Sequence, residues 1–97
     1  MGIKASHPGY TLRAQLVERD EAILSLSGRV SLDDADRLLA EMESLLDSRT
    51  VGAVKIDLAD VSYMDSAGVL TLFRFEEKIR RGGRTCVYLN LPDRVRG

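Results

Sequence analysis

A serine that follows an aspartate at the start of a predicted helix is the feature of this sequence best placed to do chemistry. Asp65 and Ser66 come after an apolar run at residues 54–58 and a polar turn, and a helical pattern begins directly after them. The free N–H groups and the dipole at a helix N-terminus favour an anion. Asp and Ser are also common helix caps. Two interpretations therefore stay open, a cap and a hydroxyl that accepts a phosphoryl group.

The other reactive side chains do not form a catalytic set. His7 is the only histidine and lies in an aperiodic N-terminal segment, so the usual catalytic triads lack their base. Cys86, the only cysteine, falls in an apolar strand pattern and is expected to be a small buried residue. Asp57 and Asp60 fit a strand end and a turn. We expect no catalytic residue, no metal site and no cofactor, and hence no enzyme.

Composition limits the partners that the chain can bind. The 97 residues carry 14 basic and 15 acidic side chains, 44% are hydrophobic and 30% are charged, which is typical of one small globular domain. A net charge of −1 and the absence of Trp disfavour nucleic acid. No apolar run approaches the roughly 20 residues that cross a bilayer. With one cysteine and no signal peptide, we expect a cytoplasmic protein without direct membrane insertion.

The first half of the chain has the pattern of a β-hairpin followed by a helix. Residues 10–17 and 22–30 alternate between apolar and polar side chains and are separated by a polar turn. Gly28, near the end of the second strand, predicts a bend or a close backbone approach. Ser31 is the expected N-cap of a helix that runs to about residue 47, with Asp33 in its first turn.

The second half predicts a buried strand at residues 53–58, a helix at 66–81 and a final strand at 84–91. A helix between two strands is a crossover, which implies parallel pairing. On the second helix Leu70 falls on the side of Ser66, away from the core stripe, and Phe73 falls at the margin of that stripe. Pro92 begins what resembles the first turn of another helix.

These elements predict an α/β fold. Its sheet would be a four-stranded mixed sheet, made of the N-terminal hairpin and parallel strands, with two full helices and the start of a third packed on it. Residues 1–9 are expected to be a flexible leader, and residues 10–97 a single domain whose C-terminal helix is truncated.

The order of elements and one motif resemble the STAS domain family, whose best-known members are bacterial anti-sigma factor antagonists. The resemblance covers residues 10–96 and is most specific in the segment DVSYMDSAG at residues 60–68. The family has a second hydroxyl residue where this chain has Ala67, and often a glycine at Leu70. The family residues Gly-Glu-Leu-Asp correspond here to residues 28–31, so that Ser31 replaces an acidic residue.

The resemblance implies a regulatory function rather than catalysis. In this family the unphosphorylated antagonist binds an anti-sigma factor that is also a serine kinase, and phosphorylation of the serine that matches Ser66 switches the complex off. The partner-binding surface that the resemblance implies comprises the residues of the motif and of the upstream loop: Asp65, Ser66, Ala67, Gly68, Leu70, Ser31 and Asp33.

Two other functions are compatible with parts of the sequence. STAS domains also occur as modules of lipid-transport ABC systems and of anion transporters, where they bind partner subunits without modification of the serine. A receiver-like phospho-acceptor or a small enzyme is disfavoured. A receiver needs an acidic pair after its first strand and a lysine after its last, whereas here the first strands form a hairpin and Leu91-Pro92 stands in place of the lysine.

Overall fold

The structure is a computed structural model that describes residues 2–6, 9–18, 20–47 and 51–91. Five strands and two helices alternate along the chain: β1 Gly2–Ser6, β2 Tyr10–Val17, β3 Glu21–Val30, α1 Leu32–Asp47, β4 Ala53–Met64, α2 Ser66–Arg81 and β5 Thr85–Leu89. The strands form one sheet in the order β1-β2-β3-β4-β5.

The sheet is mixed, and the predicted α/β fold class is confirmed, but the sheet has five strands where four were predicted, because β1 was not expected. β1 pairs with β2 and β2 with β3 in antiparallel fashion, as a hairpin requires. β3 pairs with β4 and β4 with β5 in parallel, because α1 and α2 are the crossover connections between them. β4 has neighbours on both edges, which agrees with the prediction of a buried strand.

The core lies between the helices and one face of the sheet. Alternate residues of β3, Ala22, Leu24 and Leu26, are buried, and the intervening Ile23 and Ser25 are only half-buried. The helices close this core with Leu38 and Met42 from α1 and with Leu72, Phe75 and Ile79 from α2. Each helix therefore has one face that is fixed in the core and one that faces solvent.

The N-terminal segment was wrongly predicted to be a leader without regular structure. Residues 2–6 form β1, which pairs with β2 in register from Gly2 opposite Gln15 to Ser6 opposite Thr11. An outer strand can be added through backbone hydrogen bonds alone, because the unpaired N–H and C=O groups of an edge are a ready template. Such pairing does not require alternating apolar and polar side chains, so the sequence of residues 2–6 gives no sign of a strand.

The polar turn expected after residue 58 is also absent, because β4 continues to Met64. The pairing with β3 shifts register twice, between Ser25 and Ser27 and between Gly28 and Arg29, and each time β4 contributes one extra residue. Such bulges break the alternation of a strand. The strand therefore buries every third residue here: Leu58, Val61 and Met64. In the sequence this spacing lacks the alternation of a strand and resembles a turn.

Two sequence expectations lie outside the described residues. These are the third helix, expected to begin at Pro92, and the environment of His7.

The expected close approach at Gly28 is present. Gly28 has φ +93, and a Cβ built on it would lie 2.5 Å from the carbonyl oxygen of Gly9. Arg29, the next residue, donates its N–H to that same oxygen at 2.7 Å. The second positive-φ glycine, Gly83, follows the C-terminus of α2, and Arg84 donates its N–H to the Ile79 carbonyl across it at 3.2 Å.

We predict that Gly28→Ala lowers the free energy of unfolding by more than about 2 kcal/mol, because it combines left-handed strain with a backbone clash. Gly83→Ala is the matched control, since Gly83 has φ +81 but no atom within 4 Å of an added Cβ. That variant should lose only about 1 kcal/mol. Urea denaturation measures both, and equal losses would show that the contact with Gly9 is not tight.

Candidate functional site

The candidate site lies where β3 and β4 end side by side. The last pair in their ladder is Val30 opposite Met64, so the residues that follow, Ser31 and Asp65, each precede a helix. In open α/β sheets this edge, outside the carboxyl ends of parallel strands, is where ligands commonly bind. The structure thus brings the two predicted loops together at one edge of the sheet.

Asp65 joins both helix N-termini through a single carboxylate. One oxygen, Oδ1, accepts the N–H of Gly68 at 3.0 Å and caps α2. The other, Oδ2, accepts the N–H of Leu32, the first residue of α1, at 2.9 Å. The Asp65 N–H donates to the Val30 carbonyl at 3.2 Å. Asp65 is therefore a cap of two helices, and it fixes where α2 begins relative to α1.

Ser31 precedes α1, at the predicted N-cap position, but its hydroxyl donates to Asp34 and does not accept a helix N–H. Asp34 donates its N–H to the Ser31 carbonyl at 2.9 Å, and its Oδ2 accepts both the N–H and the hydroxyl of Ser31, at 3.3 and 3.2 Å. The Arg37 guanidinium donates a hydrogen bond to the other Asp34 carboxylate oxygen, Oδ1, at 2.7 Å. The Ser31 hydroxyl is thus already bonded within α1, whereas Asp33 next to it is exposed.

Ser66 is the first residue of α2, and its side chain is exposed. Within the described part of the chain its hydroxyl has no hydrogen-bond partner, so the capping role that the sequence left open belongs to Asp65. An exposed hydroxyl at the positive end of a helix can accept a phosphoryl group and keep it close to free N–H groups.

Gly68 does not lie on the surface where a partner could contact it. It is buried, and an added Cβ would lie 2.6 Å from Cγ of Met64 and 3.1 Å from Cγ1 of Val30. Its role is to let the first turn of α2 approach the ends of β3 and β4. We therefore correct its assignment from partner contact to packing.

The remaining predicted surface residues differ in exposure. Leu70 is 48% exposed on the side of Ser66, as expected, and Ala67 is half-buried. Phe73 was placed at the margin of the core stripe but is 56% exposed. Leu32, for which the sequence gave no functional signal, is 72% exposed beside Asp65. The helical spacing of α2 was enough to place Phe73 on the exposed face. Leu32 reaches the site only through its hydrogen bond to Asp65, which the sequence does not indicate.

The alternative carboxylate site gains no support from the geometry. Asp57 and Asp60 lie within β4 and not at the strand end and turn that the sequence predicted. Asp57 Oδ1 accepts the Ala59 N–H and the Asn90 side-chain amide, both at 3.0 Å. Asp60 is exposed. Both carboxylates line a shallow cleft of about 290 Å³ on the open face of the sheet. Among the described residues, no three His, Cys, Asp or Glu side chains are grouped to hold a metal ion.

Cys86 lies in β5 and is buried, as predicted, with 1% of its surface exposed. Burial raises the pKa of the Cys86 thiol to about 11, the nearby Glu76 carboxylate adds to the rise, and Arg80 opposes it. The thiol is therefore protonated at neutral pH, in contrast to the depressed pKa of a nucleophilic cysteine.

We predict that Cys86 in the folded protein resists alkylation. A pKa raised from 9.0 to about 11 reduces the thiolate at pH 8 by about a hundredfold, and burial slows the reaction further. Iodoacetamide labelling, followed by mass spectrometry, should be at least ~100-fold slower in the folded than in the urea-unfolded chain. Similar rates in the two states would contradict the burial of the thiol.

We also predict that Asp65→Ala lowers the free energy of unfolding by about 2 kcal/mol, because N–H groups of two helices lose their acceptor. Asp65→Asn should lose less, because its carbonyl oxygen still accepts one of the two bonds. Asp33→Ala is the control, an exposed aspartate in the first turn of α1. Equal urea midpoints for Asp65→Ala and Asp33→Ala would show that the double cap does not stabilise the fold.

A family model and solved structures match this chain. A family model described as "Mlab, STAS domain" matches residues 14–97. An antisigma-factor antagonist STAS domain from Rhodobacter sphaeroides has a similar structure, with a TM-score of 0.76, 19% identity, and coverage of 88% of this chain and 90% of that chain. At this identity the likeness establishes the fold alone.

Two further solved structures share the fold. The Bacillus cell fate determinant SpoIIAA in its phosphorylated form gives a TM-score of 0.72 at 18% identity and covers 88% of this chain and 77% of that chain. A murine anion transporter of Solute Carrier family 26 gives 0.69 at 14% identity, with 91% of this chain matching 17% of the transporter. In the described part of our chain, neither helix has the length and apolar character that crossing a bilayer requires.

Proposed function

Because the chain belongs to the STAS domain family, we propose that it is an anti-sigma factor antagonist, a regulatory module that binds an anti-sigma factor with serine-kinase activity and is switched off by phosphorylation of Ser66. The observation that carries the proposal is the exposed Ser66 hydroxyl at the N-terminus of α2, held in place by the double cap of Asp65. The module itself performs no catalysis in this proposal, since catalysis belongs to the partner.

The position of Ser66 suits a switch that leaves the fold intact. A phosphoryl group adds about −1.5 to −2 charge and strong acceptor oxygens. At Ser66 it would meet the helix N-terminus, which stabilises an anion, and it would displace no buried side chain because Ser66 is exposed. The modified chain should therefore remain folded.

The same group would oppose binding of a partner. Asp65, which precedes Ser66 in the chain, and Asp33, which follows the Leu32 that Asp65 caps, already place negative charge at the two helix starts. Burying an added phosphate without a paired cation costs several kcal/mol, and a like charge placed opposite it costs a similar amount. A transient complex centred on Ser66 would be released by such a change.

We predict that an anti-sigma factor kinase from the same organism transfers one phosphoryl group from ATP to Ser66, located by peptide mass spectrometry. Ser66→Ala should abolish the transfer. Ser44→Ala, which removes an exposed serine from α1, should leave it unchanged. Transfer to Ser44, or to Ser66→Ala, would contradict the assignment of Ser66.

Binding of the kinase in the presence of nucleotide distinguishes the switch from a simple contact. Ser66→Asp should weaken binding by more than about tenfold, whereas Ser66→Ala should bind almost as the unmodified chain does. Isothermal titration calorimetry measures both. Normal binding of Ser66→Asp would contradict the switch.

A second candidate is a STAS module of a transport system, bound to a partner subunit without phosphorylation. The fold likeness to the anion transporter domain favours it. Under this alternative the chain copurifies with a transporter subunit and Ser66 remains unmodified in the cell. Ser66→Asp then changes binding only through the contacts of that one side chain. The intact mass of the chain isolated from cells distinguishes the two functions, because only the antagonist carries a phosphoryl group.

A further inference from the structure

The outer edge of β5 carries backbone groups that no strand pairs. Among the described residues, β5 pairs with β4 alone and forms one edge of the sheet. Thr85 donates its N–H to the Gly52 carbonyl at 3.0 Å, so the backbone groups of Thr85 point towards β4. Because successive residues of a strand direct these groups to opposite sides, the N–H and C=O groups of Cys86 and Tyr88 point outwards. Such a row is a template for a further strand.

Arg80 covers one of these outward carbonyls with its side chain. Its Nη2 donates to the Cys86 carbonyl at 3.0 Å, and its Nε donates to Oε2 of Glu76 at 2.9 Å. The other Glu76 oxygen, Oε1, accepts the Tyr88 hydroxyl at 2.9 Å. The planar guanidinium has donors on several sides and can bind a carboxylate and a carbonyl at once. Arg80 therefore joins α2 to the outer edge of β5.

This contact is specific to Arg80 and is not a general property of the last turn of α2. The next residue, Arg81, has the same charge but pairs with Glu77. Its side chain is 78% exposed, against 58% for Arg80. Arg81 thus provides an internal comparison, a cation that leaves β5 uncovered.

The outward groups of β5 are symmetric about Val87, which identifies a second copy of the same strand as a fitting partner. In an antiparallel pair with a two-fold axis at Val87, Cys86 lies opposite Tyr88 of the second copy, and the two residues exchange both hydrogen bonds. Val87 then lies opposite Val87 of the second copy. Its side chain is 47% exposed and is available for that contact. Such an interface closes as a dimer.

The Arg80 contact competes with this pairing. A second strand would lie about 4.8 Å from β5. The N–H of its Tyr88 would need the Cys86 oxygen to which Nη2 of Arg80 now donates. Because the dimer is symmetric, Arg80 would have to leave this position in both copies.

We propose that the edge of β5 is a surface for pairing with a second copy of this chain, and that Arg80 keeps this surface closed. The unmodified chain is then monomeric, because each dimer would lose two charge-assisted hydrogen bonds. The inference goes beyond the proposed function and does not depend on it, since Ser66 takes no part in the contact.

Sedimentation equilibrium of the full chain tests the role of Arg80. Arg80→Ala should raise the self-association constant at least about tenfold, because a hydrogen bond to a charged group contributes about this factor and the dimer no longer loses two of them. Arg81→Ala is the matched control, which removes the same charge from the next residue and should leave the constant unchanged. Circular dichroism checks that both variants fold. Equal association constants for the two variants would refute the proposal.

Cysteine crosslinking tests which strand edge pairs and in which register. With Arg80→Ala also present, Val87→Cys should form an intermolecular disulfide in air, because residues opposed at a non-hydrogen-bonded position have Cα atoms about 4.5 Å apart. Thr85→Cys is the control, since its two copies would lie about 14 Å apart, beyond the reach of a disulfide. Peptide mass spectrometry locates the crosslink. Equal crosslinking at the two positions, or equal crosslinking of Val87→Cys with Arg80 intact, would overturn the proposal.

Discussion

The carboxylate of Asp65 is the interaction on which the rest of the site depends. Its two oxygens accept one N–H from each helix, Gly68 in α2 and Leu32 in α1. A carboxylate is acceptor-only and can satisfy several donors at once, so one side chain can cap two helices. Because Asp65 takes the capping role, the adjacent Ser66 hydroxyl stays available at the surface. The proposed switch and the helix cap are therefore neighbouring residues with separate tasks.

The bulges of β4 are the condition for this arrangement. Each of the two register shifts against β3 adds one residue to β4, so that Met64 ends opposite Val30 and the following residues begin two helices side by side. The same shifts keep Leu58, Val61 and Met64 in the core despite their spacing of three. Gly68 completes the arrangement, since its lack of a side chain lets α2 start directly against Met64 and Val30.

Most regular elements were predictable because each has a local signal. Alternation identified β2 and β3, helical spacing identified α1 and α2, and a continuous apolar run identified the start of β4. Elements that depend on pairing between strands could not be predicted from the sequence. β1 exists because the edge of β2 offers free backbone groups, and the extension of β4 exists because bulges shift its register. Phe73 was misplaced although its position was readable from the sequence, since seven residues at about 100° each return it to the face of Ser66, away from Leu72 and Phe75.

The sequence by itself determined the α/β order of elements, the position of Ser66 at the start of a helix and the family resemblance of residues 60–68, because these depend on neighbouring residues. The tertiary structure alone decided that Asp65 also caps α1, that Leu32 therefore lies beside it, and that Gly68 packs against Val30 rather than contacts a partner. The physical reason is distance along the chain. The bond between Leu32 and Asp65 joins residues 33 positions apart, and no local pattern encodes it.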